Sequence, residues 1–203
     1  ASAELVPQIQ AAARQLQLPQ PQIVVTQYAG QAREAAHRYA ASGTPVALYA
    51  CCGDGTLNEL VQGAAGSANV AVGCVPCGSG NDYVRNFGAA GQAPFLDFAA
   101  QLQAQPCRVD LLQTSLGIGI DICAAGLDAQ VAYGIPKFRR LPGCGGTAAY
   151  TLSILQAMLS RFGHKLRVAI DGKEYTGTYM MAAICNGGYY GGGVYAYNDT
   201  TGD

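Results

Sequence analysis

Two glycine-rich turns constrain this chain more than any other feature, because each one directly follows an apolar run. Residues 52–59 read CGDGTLNE and follow the run VALYAC at 46–51. Residues 76–82 read PCGSGND and follow the run VAVGCV at 70–75. Short apolar runs that end in turn residues are typical of buried strands. We therefore expect two open turns at the ends of two buried strands.

Each turn carries a carboxylate, a hydroxyl and a flexible backbone, a combination that suits a nucleoside triphosphate. Glycines let main-chain N–H groups approach phosphate, hydroxyls donate to it, and an acidic side chain holds Mg²⁺. We expect Asp54 either to orient Mg²⁺-ATP or to accept the proton of an attacking hydroxyl. Ser79 offers its hydroxyl to a phosphate. Asn81 either ties the second turn to the first or caps the following helix.

The context of the first turn favours a binding site over an ordinary surface turn. A Gly-Asp-Gly sequence alone is common in turns. Here an apolar run precedes it, and Thr56 with Glu59 forms a capping-box pattern that predicts the start of a helix. Asp54 is thereby predicted to lie at the carboxyl edge of a sheet, where a helix N-terminus faces a bound anion.

The first half of the chain alternates helical and strand patterns. Residues 4–18 and 31–41 have the spacing of helices, and the β-branched residues 23–26 predict a short strand. Together with the two apolar runs, this alternation predicts a parallel sheet with helices on its faces. We expect this α/β nucleotide-binding domain to cover residues 1–105.

The pattern changes after residue 105. Short strands are predicted at 108–116, 118–124 and 130–133. One amphipathic helix is predicted over residues 147–162, and Asp171-Gly172 between two strand patterns is a hairpin signal. We expect residues 106–203 to form an antiparallel, β-rich domain.

Composition excludes some classes of function. Only 12% of the 203 residues are charged and the net charge is -1, so bulk electrostatics do not favour nucleic acid as a partner. The eight cysteines stand mostly in apolar runs, which indicates reduced, buried thiols in a cytosolic setting rather than a disulfide framework. No apolar run in the sequence approaches the roughly 20 residues of a membrane-spanning helix.

The motifs, taken in order, resemble those of the diacylglycerol kinase catalytic-domain family, which includes bacterial lipid kinases and the related sphingosine kinases. The family's GGDGTxNE resembles residues 52–59, and its PxGTxND resembles residues 76–82. Its GFDA resembles residues 126–129, and its asparagine and triple-glycine motif resembles residues 186–193. An upstream T-x-x-x-G-x-A matches residues 26–32.

The resemblance implies an α/β domain of the NAD kinase and phosphofructokinase type, followed by a β-sandwich-type domain. It implies ATP and Mg²⁺ as cofactors and a lipid hydroxyl as the acceptor, with diacylglycerol converted to phosphatidic acid as the leading case. The ATP site would comprise Thr26, Gly53, Asp54, Gly55, Thr56, Glu59, Gly78, Ser79 and Asn81. Asp128 is either a contact to the acceptor head group or a turn residue.

Several positions depart from the family pattern. Cys52 replaces the first glycine, and Ser79 replaces threonine but keeps the hydroxyl. The aspartate of the family's metal-binding stretch would fall at or just past Asp203. The family's opening NPxSG strand and its late DGE segment have no counterpart here, so we expect both domains to be truncated. An inactive fragment of an active parent is compatible with this expectation.

A lipid acceptor requires access to a membrane. The basic cluster at residues 137–142, KFRRLP, either docks on an anionic bilayer or is a solvated loop. We expect a cytoplasmic protein that is peripheral at the inner membrane surface, and exposed strand edges are compatible with a homodimer.

Three alternatives remain open from the sequence. A kinase of NAD or of a sphingoid base would share the first turn, although residues 78–82 and 186–193 argue against an NAD kinase or a phosphofructokinase. A non-catalytic module that holds nucleotide or lipid without turnover is the alternative from a different class.

Overall fold

The two apolar runs form parallel strands that pair along their whole length. In this computed structural model, β1 (Val46–Cys52) lies beside β2 (Val70–Pro76), with Val46 opposite Val70 and Cys52 opposite Pro76. Helix α3 (Asp54–Ala64) connects them. A helical crossover is what parallel neighbours require, so the predicted α/β arrangement is confirmed at this sheet. Both glycine turns follow the carboxyl ends of these strands.

The structure describes residues 2–88, 92–141, 146–159 and 163–195. The helices in these ranges are α1 (Ser2–Gln15), α2 (Gln31–Ala41), α3, α4 (Asp82–Arg85), α5 (Phe98–Gln103), α6 (Leu127–Arg139) and α7 (Gly146–Leu159), with a 3-10 helix at Ala93–Leu96. The remaining strands are β3 (Leu112–Thr114), β4 (Gly117–Gly119), β5 (Ile122–Gly126), β6 (His164–Ile170), β7 (Lys173–Tyr179), β8 (Met181–Cys185), β9 (Tyr189–Tyr190) and β10 (Val194–Tyr195). None of the helices in these ranges is both long and apolar enough to cross a membrane.

Two units make up the chain. The first contains the residues up to Asp121 together with those from Asn186 onward, and the second is Ile122–Cys185. The core of the first unit lies where α3 covers the β1–β2 sheet. Its buried members are Ala50, Leu57, Val61, Cys74, Val84 and Ile120.

The second unit pairs its strands antiparallel, as the sequence predicts. Strand β5 pairs with β8, and β6 pairs with β7 through the Asp171-Gly172 turn, whose φ angles are 50° and 79°. Two consecutive positive φ angles are the signature of a type I′ hairpin. Helices α6 and α7 pack together, and the Ser153 hydroxyl of α7 donates to the Val131 carbonyl of α6 at 2.6 Å.

The strand predicted at residues 130–133 is wrong, because these residues lie inside α6. Val131 is buried, whereas Tyr133 is 86% exposed. Strand alternation would place both side chains on one face, but a helix separates positions two residues apart. The contact of α6 with α7 therefore decided the conformation of a segment with strand-like composition.

The strand predicted at residues 23–26 is also wrong, since this segment has no regular secondary structure. Val25 is 70% exposed, and among the described residues no strand pairs with the second edge of β1. Strand propensity needs a pairing partner to be realised. Pro19 and Pro21, which lack N–H donors, further weaken pairing just upstream.

Helix α3 begins earlier than the capping-box pattern predicts. Its N-cap is Gly53, with extended backbone at φ -94° and ψ -178°, so Asp54 is the first helical residue. Thr56 is then the third helical residue rather than the cap, and that prediction is wrong. The early start places the Asp54 carboxylate in the first turn, where the helix dipole favours negative charge.

We predict that Leu57→Ala lowers the free energy of unfolding by about 3 kcal/mol, because it removes a large side chain from a close-packed core. Leu57 is 2% exposed, and urea denaturation measures the loss. Leu116→Ala is the matched control, since Leu116 is 97% exposed. Equal stability of the two variants would contradict the assignment of α3 to the core.

Candidate active site

The two glycine turns meet backbone to backbone. The strands end with Cys52 opposite Pro76, and the Cys77 N–H continues the ladder by donating to the Cys52 carbonyl at 3.1 Å. A Cβ on Gly78 would lie 2.3 Å from the Gly53 Cα, a distance that real Cβ atoms do not reach. The approach therefore requires glycine at position 78, whereas a Cβ on Gly53 would lie 3.1 Å from the Gly78 Cα, a tight contact. It leaves the two turns as one continuous surface at the carboxyl edge of the sheet.

Asp54 joins the two turns. Its Oδ1 accepts a hydrogen bond from the Tyr83 N–H of α4 at 3.2 Å. Its Oδ2 lies 3.0 Å from the position that a Cβ on Gly80 would occupy. Among the described residues, Oδ2 makes no hydrogen bond. One carboxylate oxygen is thus committed to the fold, and the other is available to a ligand.

The Asn81 side chain forms hydrogen bonds within the second glycine turn, its own, and none to the first turn within the described residues. Its φ is 54°, and it is 7% exposed. The Oδ1 accepts from the Gly78 N–H at 2.9 Å, and the Nδ2 donates to the Gly78 carbonyl at 2.9 Å and to Gln92 Oε1 at 3.4 Å. Its side chain makes no capping bond to α4. These contacts differ from both roles that the sequence suggested for Asn81, a link to the first turn and a helix cap.

Sequence reasoning missed the role of Asp82. Its two carboxylate oxygens accept the Gly192 N–H at 3.1 Å and 2.9 Å, and its Oδ1 lies 3.6 Å from Arg85 Nε. Arg85 Nη2 in turn donates to the Gly80 carbonyl at 3.2 Å. The signal was present, because Asp82 ends one motif and Gly192 lies in another. What the sequence could not show was that the two motifs meet.

The start of the triple-glycine motif is also fixed within the first unit. Asn186 Nδ2 donates to the carbonyls of Asp110 and Ile120 at 2.8 Å and 2.9 Å. The Asn186 N–H donates to the Asp121 carbonyl at 2.7 Å. Asn186, the first residue after the second unit, is thus bonded to Asp121, the last residue before it.

Asp121 is the carboxylate whose protonation the fold perturbs most. Burial raises its pKa from the ordinary value of 3.8 to about 6. A hydrogen bond from Asn86 partly opposes the rise, and the charges of Asp54 and Asp82 add to it. This half-buried group therefore titrates just below neutral pH.

The other predicted nucleotide-site residues lie at or beyond the rim of the joined turns. Gly55 and Ser79 are exposed, and the Ser79 hydroxyl makes no hydrogen bond within the described part of the chain. Thr56 and Glu59 are half-buried on α3. Thr26 is exposed in its irregular segment.

Two predicted residues lie apart from this cluster. Asp128 is the second residue of α6 and belongs to the second unit. Asp203, the predicted metal ligand, lies outside the described residues.

The donor chemistry at Asp54 fits a magnesium ion. Mg²⁺ prefers carboxylate oxygens and usually takes one or two of them, with phosphates and waters filling its remaining positions. The Asp54 Oδ2 meets that requirement. Within the described ranges, no group of three or more His, Cys, Asp or Glu side chains forms a closed metal site.

The thiols at the strand ends are suited to packing rather than to nucleophilic chemistry. Burial raises the pKa of Cys52 to about 11 and that of Cys74 to about 12. A hydrogen bond with Thr56 only partly opposes the rise at Cys52. Thiolates are the reactive form, so these protonated thiols are inert at neutral pH.

Comparison with models of protein families identifies the family to which this chain belongs. Residues 1–114 match the family model described as the diacylglycerol kinase catalytic domain. The chain belongs to the diacylglycerol kinase catalytic-domain family. Residues 121–200 match a second model, described as the YegS C-terminal NAD kinase beta sandwich-like domain. The resemblance and the fold class predicted from the sequence are confirmed, whereas the boundary placed at residue 105 stays a prediction.

Individual relatives agree with the family. The "Probable lipid kinase YegS-like" of Chromohalobacter salexigens is 30% identical over 145 residues, which cover 70% of this chain and 45% of that protein. The diacylglycerol kinase of Bacillus subtilis is 27% identical over 138 residues, 68% of this chain and 45% of that protein. The chain thus spans less than half the length of these kinases.

The fold has solved counterparts. The crystal structure of a diacylglycerol kinase from Bacillus anthracis superposes with a TM-score of 0.64 at 21% identity, covering 95% of this chain and 60% of that one. At this identity the likeness shows a shared fold.

The titration of Asp121 makes stability depend on pH. Between its unfolded value of 3.8 and its folded value of about 6, the folded state binds more protons than the unfolded state. The free energy of unfolding therefore falls as pH rises through this window and is flat above it. The full shift corresponds to about 3 kcal/mol, and solvent screening of a half-buried group reduces our expectation to about 1 kcal/mol.

Urea denaturation at several pH values tests this dependence. We predict that Asp121→Asn removes the fall, while Asp171→Asn, at an exposed turn, leaves it unchanged. A wild-type protein and an Asp121→Asn variant with the same slope between about pH 4 and pH 6 would refute the assignment.

Proposed function

We propose that this chain is the nucleotide-binding part, with a portion of the acceptor-binding part, of an ATP-dependent lipid kinase. The proposed reaction transfers the γ-phosphoryl group of ATP to the hydroxyl of diacylglycerol and yields phosphatidic acid. The observation that carries the proposal is the joined pair of glycine turns, with the free oxygen of Asp54 at their meeting point. Family membership and the names of the relatives support the same class of acceptor.

The phosphates would lie on the joined turns. Main-chain N–H groups at the open, exposed Gly55 and the start of α3 offer donors and a favourable dipole to an anion. The exposed Ser79 hydroxyl adds a donor from the second turn. Thr26, Thr56 and Glu59 are proposed to complete the nucleotide site.

The transfer step needs little covalent chemistry from the protein. The lipid hydroxyl oxygen forms a bond to the γ-phosphorus while the bond from that phosphorus to the bridging oxygen breaks, and ADP leaves with the electron pair. The hydroxyl proton must pass to a base, and the Asp54 Oδ2 is the proposed acceptor in this chain. Mg²⁺, when bound, offsets charge on the phosphate oxygens, and Asp203 is proposed to hold it. Asp54 is the alternative ligand, in place of its role as proton acceptor, because its one free oxygen cannot do both.

The acceptor would be recognised by the second unit. Asp128, which stands where the family motif has its aspartate, is proposed to contact the head group. The relative from Bacillus subtilis is named a diacylglycerol kinase, and this name is the reason for proposing diacylglycerol over other lipid alcohols.

Membrane contact is proposed at the end of α6. Lys137 and Arg140 are exposed there. Arg140 is followed by Leu141, which is 49% exposed, and Lys137 lies one turn after Tyr133. Basic residues attract an anionic lipid surface, and apolar and aromatic residues enter its interface. Peripheral association at the cytoplasmic face of a membrane would bring the lipid acceptor to the enzyme.

The function is tested by phosphate transfer from labelled ATP, with Mg²⁺, to mixed micelles of diacylglycerol, a sphingoid base or another lipid alcohol, alongside NAD. We predict that Asp54→Asn lowers the rate of the full-length parent at least about 100-fold, because the amide cannot accept a proton or bind the cation as strongly. The amide still accepts the Tyr83 N–H, so the fold is retained.

Asp171→Asn makes the same chemical change at an exposed hairpin turn and should leave the rate unchanged. Equal rates for Asp54→Asn and wild type would remove Asp54 from the chemistry. A folded parent that binds ATP but labels no lipid would favour the non-catalytic module, and labelled NAD would favour an NAD kinase.

The membrane proposal is tested by co-sedimentation with vesicles that contain phosphatidylserine. Replacing Lys137, Arg139 and Arg140 by alanine should weaken binding roughly 100-fold, since each basic residue near such a surface contributes about 1 kcal/mol. Replacing Lys165, Arg167 and Lys173 on the β6–β7 hairpin is the matched control. Equal losses in the two triple variants would show that net charge alone, rather than α6, directs binding.

A further inference from the structure

The side chain of Asn86, the C-cap residue of α4, makes three hydrogen bonds. Its Nδ2 donates to the Tyr83 carbonyl at 3.1 Å and to Asp121 Oδ1 at 3.1 Å. Its Oδ1 accepts from the Gly188 N–H at 2.7 Å. One amide group thereby joins three parts of the chain: α4, Asp121 between β4 and β5, and the triple-glycine motif.

The chain passes close to this amide at Gly187. A Cβ on Gly187 would lie 1.8 Å from Asp121 Oδ1 and 2.5 Å from Asn86 Nδ2. A side chain at Gly187 would therefore displace the Asp121 carboxylate and the Asn86 amide and break the hydrogen bond between them. The absence of a side chain at Gly187 therefore leaves room for the bond between Asn86 and Asp121.

A second anchor lies one helical turn away. Asp82 holds the Gly192 N–H, as Asn86 holds the Gly188 N–H. The two anchors are four residues apart on α4, and the two amides are four residues apart on the β9–β10 hairpin segment. Side chains separated by four positions share one face of a helix. The face of α4 thus clamps residues 188–192 at both ends.

We propose that Asn86 is a positioning residue of the nucleotide site, which fixes the segment 188–192 so that Gly192 holds the Asp82 carboxylate. Asp82 in turn lies beside Arg85, which holds the Gly80 carbonyl of the second turn. Gly80 adjoins the free oxygen of Asp54. The clamp therefore acts on the phosphate-binding surface without contacting it. This inference rests on the proposed function.

A purely structural role for Asn86 would give different results. The bond to the Tyr83 carbonyl is an ordinary local cap, and losing it would lower stability alone. Asn69 provides the matched case, because its Nδ2 also donates to two backbone carbonyls, those of Tyr39 and Thr44 at 3.1 Å and 3.0 Å. Asn69 precedes β2 at the opposite edge of the sheet, away from the turns.

The test compares Asn86→Ala and Asn69→Ala with wild type in the full-length parent. Calorimetry gives the dissociation constant for a non-hydrolysable ATP analogue with Mg²⁺, and steady-state assays separate KM for ATP from kcat. We expect Asn86→Ala to raise both the dissociation constant and KM about tenfold, with kcat changed less than about twofold. Asn69→Ala should change neither, although it should lose comparable stability.

Two structural readouts accompany the binding test. Hydrogen exchange should show loss of protection at the Gly188 amide in Asn86→Ala. Because the Asn86 hydrogen bond lowers the pKa of Asp121, carbon-detected NMR should find that pKa raised further in the same variant.

Unchanged nucleotide affinity in Asn86→Ala, or equal effects in the two variants, overturns the proposal. If the parent binds the analogue but phosphorylates no lipid, the proposed function fails, while the affinity ratio still decides the role of Asn86. If the parent binds no nucleotide, both are overturned.

Discussion

The backbone contact between Gly53 and Gly78 is the constraint on which the rest of the site depends. It exists because β1 and β2 pair in register up to Cys52 and Pro76, so that both chains leave the sheet side by side. Once the turns touch, the first residue of α3 is brought to the first turn of α4, and the Asp54 carboxylate can meet the Tyr83 N–H. A bulkier residue at Gly78 would separate the turns and release Asp54. The arrangement of strands therefore determines the electrostatics of the site.

A second layer of polar contacts supports this surface from the side. Asp82, Asn86 and Asp121 all face the glycine-rich segment that follows residue 185, and each one bonds to its backbone. Backbone N–H groups serve this purpose well, because they are fixed in direction and carry no charge that would compete with a phosphate. The cost is electrostatic: the carboxylates of Asp54, Asp82 and Asp121 are gathered in one region, and the raised pKa of Asp121 records its burial together with repulsion from the other two charges.

Local pattern predicted the parts of the structure that local forces decide. Apolar runs ending in glycine turns indicated β1, β2 and the position of Asp54, and two turn residues indicated the β6–β7 hairpin. The strands predicted at 23–26 and 130–133 are wrong because strand propensity yields to the packing that is available. The described part of the chain offers residues 23–26 no strand to pair with, and residues 130–133 pack as a helix with α7. The bonds from Asp82 and Asn86 join residues 110 and 102 positions apart, and nothing in a local pattern encodes such pairings. Residue type identified these side chains as polar, but only the fold shows what they hold.

The first unit is discontinuous in sequence, and this has a consequence for the order of events during synthesis. All of Ile122–Cys185 is translated between Asp121 and its hydrogen-bonding partner Asn186. The ribosome therefore releases the parallel sheet and both glycine turns long before the segment that clamps α4. Until that segment emerges, Asp82 lacks its partner Gly192 and the Asn86 amide oxygen lacks its partner Gly188. The late arrival makes the proposed nucleotide surface the last region of the first unit to mature, and the inserted unit can fold before the first unit is complete.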